Sequence, residues 1–170
     1  MTLRTPVPVL LLSLAFLPML LEARRSSRNE QALRAMGAQE PDDDVYGWMQ
    51  VVYPGCFLAM IAESWWRAVV PDGMFVAGVV VFMFAKALKY WAIGTLGWRW
   101  TFRVLVPPRS TLVLAGPYRF LRHPNYLAVA GELGGMALMA HAVITGPLAL
   151  AAFGLLMLLR IRVEERALRI

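Results

Sequence analysis

Long apolar runs separated by polar segments dominate the pattern of this 170-residue chain. A helix rising about 1.5 Å per residue crosses a hydrocarbon core of roughly 30 Å with about 20 residues. Five runs reach or approach that length, and they cover residues 6–21, 46–69, 74–93, 125–144 and 148–163. The pattern predicts an all-α, integral membrane helical bundle with about five transmembrane helices, in a single membrane domain over residues 1–170.

The segments between the runs predict where the chain turns. Residues 22–44 are hydrophilic and weakly amphipathic, which favours a segment lying in the membrane interface. Pro54-Gly55 is expected to interrupt the second span. Thr145-Gly146-Pro147 is short enough to make the last two spans an antiparallel helical hairpin. Arg4 before the first run is compatible with a signal peptide, but the missing small-x-small cleavage pattern favours a retained span.

The composition supports the membrane interpretation. Hydrophobic residues make up 59% of the chain and charged residues 16%, whereas a soluble domain usually carries about 25% charge. The isoelectric point near 10.1 could indicate nucleic-acid binding. The basic residues are confined to segments between apolar runs, however, so we expect no nucleic-acid partner. The single cysteine, Cys56, excludes an intramolecular disulfide and a thiolate metal cluster.

The distribution of lysine and arginine predicts an orientation. With the N-terminus outside, 15 of the 17 basic residues fall on the cytoplasmic side and two, Arg4 and Arg67, on the other. This asymmetry follows the positive-inside rule. Residues 94–122 and the C-terminal tail then share the cytoplasmic face, in what we expect to be a bacterial inner membrane.

A basic and aromatic hinge, residues 116–126, precedes the fourth run and reads GPYRFLRHPNY. Pro117 and Pro124 prevent one continuous helix, and Pro124 is suited to be the first residue of the fourth helix. The free N–H groups of that helix start, beside Arg119 and His123, would favour an anion. Alternatively, the arginines bind lipid headgroups and the tyrosines belong to an interfacial aromatic belt.

Carboxylates near the ends of the runs are the other chemical candidates. Glu164-Glu165 ends the last run and would face the hinge across the hairpin, although Arg160 and Glu164 could simply pair at i,i+4. Glu63 and Glu132 lie inside apolar runs, where a carboxylate is costly, so each is a site hypothesis. The two histidines fall on opposite membrane faces, so we expect no metal site.

Small residues recur along the fourth run, at Ala128, Gly131, Gly134 and Gly135. Such a stripe is typical of a close helix-packing surface, but it could also leave room for a lipid tail. The sequence alone does not separate the two interpretations.

The hinge and the Glu164-Glu165 tail together resemble the isoprenylcysteine carboxyl methyltransferase family, over residues 91–167. These are integral-membrane enzymes that use S-adenosylmethionine and are related in pattern to phospholipid N-methyltransferases. The resemblance implies a methyltransferase-like catalytic core in that region. It also implies an O-methyltransferase, for which a carboxyl group is the first candidate acceptor. One departure is Ala128, where the family often has glycine.

The resemblance also implies roles for particular residues. Arg122, His123 and Glu165 would be catalytic. The cofactor S-adenosylmethionine would be bound by Tyr118, His123, Pro124, Tyr126, Glu164 and Glu165. Arg119 and Glu132 are further candidates for contact with the substrate.

The acceptor and two competing functions stay open. A prenylated protein, a small lipid, a phenolic lipid or an isoprenoid acid are all lipophilic partners compatible with the apolar runs, beside membrane lipids themselves. A steroid-reductase-like enzyme using a reduced nicotinamide carries a similar string, commonly followed by Gly-Glu, but Gly131-Glu132 comes later here. A non-enzymatic lipid-binding module would predict no cofactor affinity.

Overall fold

Five helices form one bundle in the computed structural model, which describes residues 7–108 and 111–168. The helices are α1 Val7–Ala35, α2 Tyr46–Trp66, α3 Gly73–Leu96, α4 Pro124–Met139 and α5 Thr145–Leu168. Two short 3-10 turns, Gly97–Arg99 and Gly116–Arg119, lie between α3 and α4. The predicted all-helical membrane bundle is confirmed.

Three of the helical segments are long and apolar enough to cross a membrane: Val7–Ala35, Gly73–Arg99 and Thr145–Leu168. The fourth helix has 16 residues. At about 1.5 Å per residue it is several ångströms shorter than a hydrocarbon core of roughly 30 Å. The five predicted helices are therefore present, and three of them combine the length and the apolar composition of a full span.

Helix α1 does not end where the apolar run ends. It continues through residues 22–35, so the prediction of a separate interfacial segment there is wrong. The polar side chains of this extension are held inside the bundle, since Glu22 and Ser26 are both buried. Glu22 is paired with lysines of α3, and the Ser26 hydroxyl accepts from the Phe102 amide at 2.8 Å. Tertiary partners thus keep the helix inside the bundle beyond its apolar part.

The turn between α4 and α5 also differs from the prediction. α4 ends at Met139, and Thr145-Gly146-Pro147 forms the first turn of α5 instead of the connection. Glu63 of α2 determines this start: its carboxylate accepts from the Thr145 amide at 2.8 Å and the Thr145 hydroxyl at 2.6 Å. A carboxylate at a helix N-terminus satisfies free N–H groups and complements the helix dipole. The hairpin is kept, with residues 140–144 as its turn.

Pro54 does not interrupt α2, which runs unbroken through it. Membrane helices tolerate proline where neighbouring groups compensate for the lost hydrogen bond. The predicted break at Pro54-Gly55 is therefore wrong.

Helices α3 and α4 pack backbone against backbone. A Cβ atom added to Gly78 would lie 2.6 Å from the Met139 amide nitrogen, and one added to Gly135 would lie 2.7 Å from the Phe82 amide nitrogen. At Gly131 an added Cβ would meet the Ala85 side chain at 2.8 Å. Gly131 and Gly135 of α4 therefore belong to a surface packed against α3, and no lipid tail fits between these two helices there, whereas Gly134 is not part of that contact.

The linker between α3 and α4 is described over residues 97–108 and 111–123, and these parts fold over one end of the bundle. The Asn29 side-chain amide of α1 donates to the Trp100 carbonyl at 2.7 Å and to the Gly97 carbonyl at 3.1 Å. Gln39 and Val106 form an isolated antiparallel bridge. These contacts hold the linker against the polar end of α1, above the site described next.

Candidate functional site

A cavity of about 640 Å³ lies under the linker, between α1, α2 and the end of α5. Sites for small molecules commonly measure roughly 300–1,000 Å³. Six of the sequence-predicted site residues line it: Tyr118, Arg122, His123, Pro124, Tyr126 and Glu164. The hinge and the tail therefore meet at one cavity.

The start of α4 positions the hinge side chains. Pro124 is the first residue of the helix, as predicted, and His123 immediately precedes it. The His123 Nε2 lies 3.2 Å from Glu165 Oε1, and its Nδ1 lies 3.8 Å from Glu164 Oε2. One imidazole thus lies between two carboxylates of α5.

A second contact joins the same two helices. The Tyr126 hydroxyl donates to Glu164 Oε2 at 2.8 Å, and the Tyr126 ring lies beside the His123 ring, with centroids 5.6 Å apart. We refer to His123, Tyr126, Glu164 and Glu165 as the terminal cluster. His123, Tyr126 and Glu164 line the cavity, and Glu165 contacts His123 from outside the lining. This combination of carboxylate, hydroxyl and imidazole suits a ligand that carries both positive charge and hydrogen-bond donors.

Two buried residues that were not predicted as site residues, Arg160 and Asp44, support the terminal cluster. The Arg160 guanidinium donates to the Tyr126 hydroxyl at 3.0 Å, to Asp44 Oδ1 at 2.9 Å and to the Phe102 carbonyl. The Arg160 and Asp44 side chains are only 6% and 4% exposed. Arg160 therefore links α5 to α4, to the linker and to the segment before α2.

This arrangement replaces the i,i+4 pair of Arg160 with Glu164 that the sequence allowed. Within residues 7–108 and 111–168, Arg160 has a single ion-pair partner, Asp44. The sequence signal for this ion pair was the position of Arg160 near the end of an apolar run, because a buried arginine needs an oppositely charged partner from elsewhere in the fold. Nothing in the local spacing identifies Asp44, 116 residues away, as that partner.

Tyr118 lies in the second 3-10 turn and contributes a hydroxyl to the cavity wall. Burial raises the pKa of Tyr118 above its ordinary value, and the negative charge of Glu164 raises that pKa further. The phenol therefore keeps its proton at physiological pH and can donate a hydrogen bond.

Two predicted substrate residues lie away from the cavity. Arg119 is exposed, and its guanidinium lies 5.6 Å from the centroid of the Phe120 ring. Glu132 is 1% exposed and belongs to a separate ionic cluster. Arg122 differs from both, since it is exposed yet lines the cavity.

The second cluster is a buried quartet of Glu22, Lys86, Lys89 and Glu132. Lys86 Nζ lies 3.0 Å from Glu22 and 3.2 Å from Glu132, and Lys89 Nζ lies 2.6 Å from Glu22 and 3.3 Å from Glu132. The Tyr53 hydroxyl donates to Glu132 Oε2. Glu132 Oε1 faces both ammonium groups without a well-aligned hydrogen bond, so these contacts are ionic.

The cavity wall also contains an unused acceptor. Asn125 Oδ1 is buried and has no hydrogen-bond partner within the described part of the chain. An unsatisfied buried acceptor costs about 1–3 kcal/mol, which a donor on a ligand would offset. Over the same residues, no three His, Cys, Asp or Glu side chains are grouped to hold a metal ion.

Comparison with known proteins agrees with the sequence resemblance. The model of the isoprenylcysteine carboxyl methyltransferase family matches residues 77–170, more than half of the chain. The uncharacterized protein YpbQ of Bacillus subtilis is 30% identical over 94% of this chain and 95% of its own length. An uncharacterized protein of Haemophilus influenzae is 27% identical over 84% of each chain. No solved structure matches significantly.

The matched region contains α4, α5, the linker and both lysines of the quartet, so it covers the whole terminal cluster. Membership implies a methyltransferase embedded in the membrane. The chain belongs to the isoprenylcysteine carboxyl methyltransferase family.

Proposed function

We propose that this protein is a membrane O-methyltransferase that uses S-adenosylmethionine to methylate an acidic oxygen of a lipophilic acceptor. The observation that carries the proposal is the terminal cluster at the mouth of a 640 Å³ cavity, with His123 between Glu164 and Glu165. A carboxylate acceptor, as in an isoprenylcysteine, and the hydroxyl of a phenolic lipid both carry such an oxygen.

The residues of the cavity fit the chemistry of S-adenosylmethionine. Glu164 is a carboxylate suited to the positive groups of the cofactor, and the buried Asn125 Oδ1 has no donor among the described residues. Trp100 and Phe102 supply aromatic surface in the same wall for an adenine ring. When bound, the cofactor offers a methyl group on a positively charged sulfur, the acceptor oxygen supplies the electron pair of the new bond, and the pair of the broken bond stays on sulfur.

The chain's own residues orient the two ligands and exclude water. The protonated Tyr118 hydroxyl can donate a hydrogen bond to a ligand. The Tyr126 hydroxyl donates to Glu164 and so orients that carboxylate, and Arg160 holds the Tyr126 hydroxyl in place. His123, held by Glu165, accepts the acceptor's proton where the acceptor is a phenol, whereas a carboxylate needs no base. Alignment of two bound reactants supplies a large part of the rate in such a displacement.

The acceptor reaches the cavity from the bilayer between α1 and α2. The route between α4 and α3 is closed by the contacts at Gly78 and Gly135. Phe16, Met19 and Leu20 of α1 line the cavity, and Leu20 is 59% exposed on the outer surface of the bundle. This lining suits an apolar tail that stays partly in the membrane.

The orientation is a further part of the proposal. The basic residues of the linker, the extension of α1 and the tail lie on the cytoplasmic side of a bacterial inner membrane, with the N-terminus outside. The terminal cluster then faces the compartment that contains S-adenosylmethionine.

Binding of the cofactor is the first test. Isothermal titration of the purified protein in nanodiscs should give saturable S-adenosylmethionine binding, and Glu164→Gln/Glu165→Gln should weaken it at least about tenfold. Asp43→Asn, which alters an exposed carboxylate, is the matched control. Binding of reduced nicotinamide instead would favour the reductase, and binding of neither would favour a non-enzymatic module.

Turnover is the second test. Mass spectrometry of lipids from membranes with and without the protein should detect a species heavier by one methylene unit. His123→Ala should lower its formation at least about a hundredfold at equal expression, because the imidazole orients or deprotonates the acceptor. Full activity of a well-expressed His123→Ala protein would refute this assignment of the site.

A further inference from the structure

Lys89 is the residue that joins the buried quartet to the cavity. Its side chain is 2% exposed, yet it lines the cavity together with Tyr53, Val129 and Phe153. Its ammonium lies 2.6 Å from Glu22 and 3.3 Å from Glu132. An ammonium has three N–H donors, so these two carboxylates leave a third for a ligand in the cavity.

The quartet makes a buried cation tolerable at this position. It contains two lysines and two glutamates, and each ammonium faces both carboxylates. Burial of an unpaired charge would be prohibitive, whereas opposite charges at this distance offset most of that cost. The cavity therefore keeps a cation at its inner wall without an excess of positive charge around it.

Arg160 is the other well-buried cation among the described residues that line the cavity. Its three guanidinium nitrogens already donate to Tyr126, Asp44 and Phe102. Lys89 differs in position, because it lies beside Tyr53, Val129 and Phe153 of the cavity wall, whereas Arg160 supports the terminal cluster.

We propose that Lys89 determines the specificity for the acceptor by binding its anionic oxygen, while the apolar tail lies between α1 and α2. This inference deepens the proposed function and rests on it. It assigns the acceptor to the class of lipophilic anions. Methylation removes the negative charge from that oxygen, so the product loses its ionic contact with Lys89 and dissociates more readily.

Lys86 provides a matched control. It contacts the same two carboxylates as Lys89 and is also buried, at 7% exposure, but it does not line the cavity. Two double variants, Glu22→Gln/Lys89→Met and Glu22→Gln/Lys86→Met, each remove one positive and one negative charge. Each leaves one lysine paired with Glu132, so both are expected to fold.

The experiment measures binding of tritiated palmitate to each immobilised variant by scintillation proximity, in competition with unlabelled palmitate or its uncharged methyl ester. We expect Glu22→Gln/Lys89→Met to bind palmitate at least about tenfold more weakly than Glu22→Gln/Lys86→Met or the unmodified protein. The methyl ester should compete poorly with palmitate in the unmodified protein. In turnover, the Lys89 variant should raise KM for an acidic acceptor more than it lowers kcat.

Titration of S-adenosylmethionine separates this inference from the proposed function. Both double variants should bind the cofactor as the unmodified protein does. If the cofactor binds but the two variants hold palmitate equally, or if palmitate does not bind at all, the role of Lys89 is refuted and the methyltransferase stands. If the unmodified protein binds palmitate through Lys89 but no cofactor, the proposed function fails instead.

Discussion

The terminal cluster and the buried quartet are both built from charged residues of several helices, but they differ in access and purpose. The terminal cluster lies at the mouth of the cavity, where the Glu164 and Glu165 side chains are 30% and 32% exposed. In the quartet, each of the four side chains is at most 8% exposed. One cluster can exchange ligands with the aqueous phase, whereas the other is sealed except where Lys89 meets the cavity.

The comparison distinguishes charged residues that are placed to bind a ligand from charged residues that hold the helices together. Partly exposed carboxylates keep part of their hydration, so a cationic ligand can displace water at modest cost. Fully buried charges are tolerated only as a balanced set, so removing any one member leaves its partners uncompensated. The quartet therefore should respond to substitution mainly through stability, and the terminal cluster mainly through ligand binding.

The strongest test of this contrast is the charge balance of the quartet. Lys86→Met leaves two buried carboxylates with one lysine and should lower the free energy of unfolding by about 3–5 kcal/mol. Glu22→Gln/Lys86→Met restores the balance and should recover most of that loss. Thermal unfolding in a mild detergent measures both, and equal unfolding temperatures for the single and double variants would contradict a balanced quartet.

A second test compares adjacent aspartates that support the terminal cluster differently. Asp44→Asn removes the buried partner of Arg160 and should cost about 2–3 kcal/mol of stability, with weaker S-adenosylmethionine binding because Tyr126 loses its fixed position. Asp43 pairs with Arg166 on the surface, so Asp43→Asn should cost less than about 1 kcal/mol. Thermal unfolding measures the stability of both variants, and isothermal titration measures their affinity for S-adenosylmethionine. Similar losses for the two variants would show that burial of the Asp44 pair has no special importance.

A third test moves the two clusters relative to each other. Gly78→Ala places a Cβ atom against the backbone of α4 at Met139, so α3 and α4 must separate, at a cost of about 1–3 kcal/mol. At Gly134 on α4 an added Cβ meets no atom of the described residues within 4 Å, so Gly134→Ala should be neutral or stabilising by up to about 1 kcal/mol, as alanine favours a helix. The unfolding temperatures of the two variants, measured side by side, test this difference in stability. Tolerance of Gly78→Ala would mean that the close helix contact is dispensable.

The smallest effect is expected at Arg119. This residue belongs to the hinge but lies outside the cavity, so Arg119→Ala should change stability by no more than about 0.5 kcal/mol and leave cofactor affinity as it was. Isothermal titration beside the unmodified protein measures this. A clear loss of affinity would restore Arg119 to the site and extend the terminal cluster into the linker.

Much of the candidate site could be predicted from the sequence because its signals are local. Pro124 marks the start of α4 through its fixed φ and missing N–H, and that start sets the position of His123. The hairpin between adjacent apolar runs then brings Glu164 and Glu165 back to the hinge. The roles of these residues in methyl transfer stay predictions until binding and turnover are measured.

The misplaced turn shows where local signals mislead. Thr145-Gly146-Pro147 has the composition of a connection, yet it is helical because Glu63, more than 80 residues earlier, accepts hydrogen bonds from the Thr145 amide and hydroxyl. The same composition therefore gives a turn or a helix start according to a partner that the local sequence does not contain.

The amino-acid sequence by itself determined the membrane bundle, the hinge and the meeting of hinge and tail, because hydropathy, proline geometry and short connections act over a few residues. Only the tertiary structure decided which buried charges are partners. Lys86 and Glu22 are 64 residues apart and Arg160 and Asp44 are 116 apart, and each pair depends on the packing of elements that are distant in the sequence. A buried charge requires an opposite charge nearby, and the fold can bring that partner from any distance along the sequence, so no regular spacing identifies it.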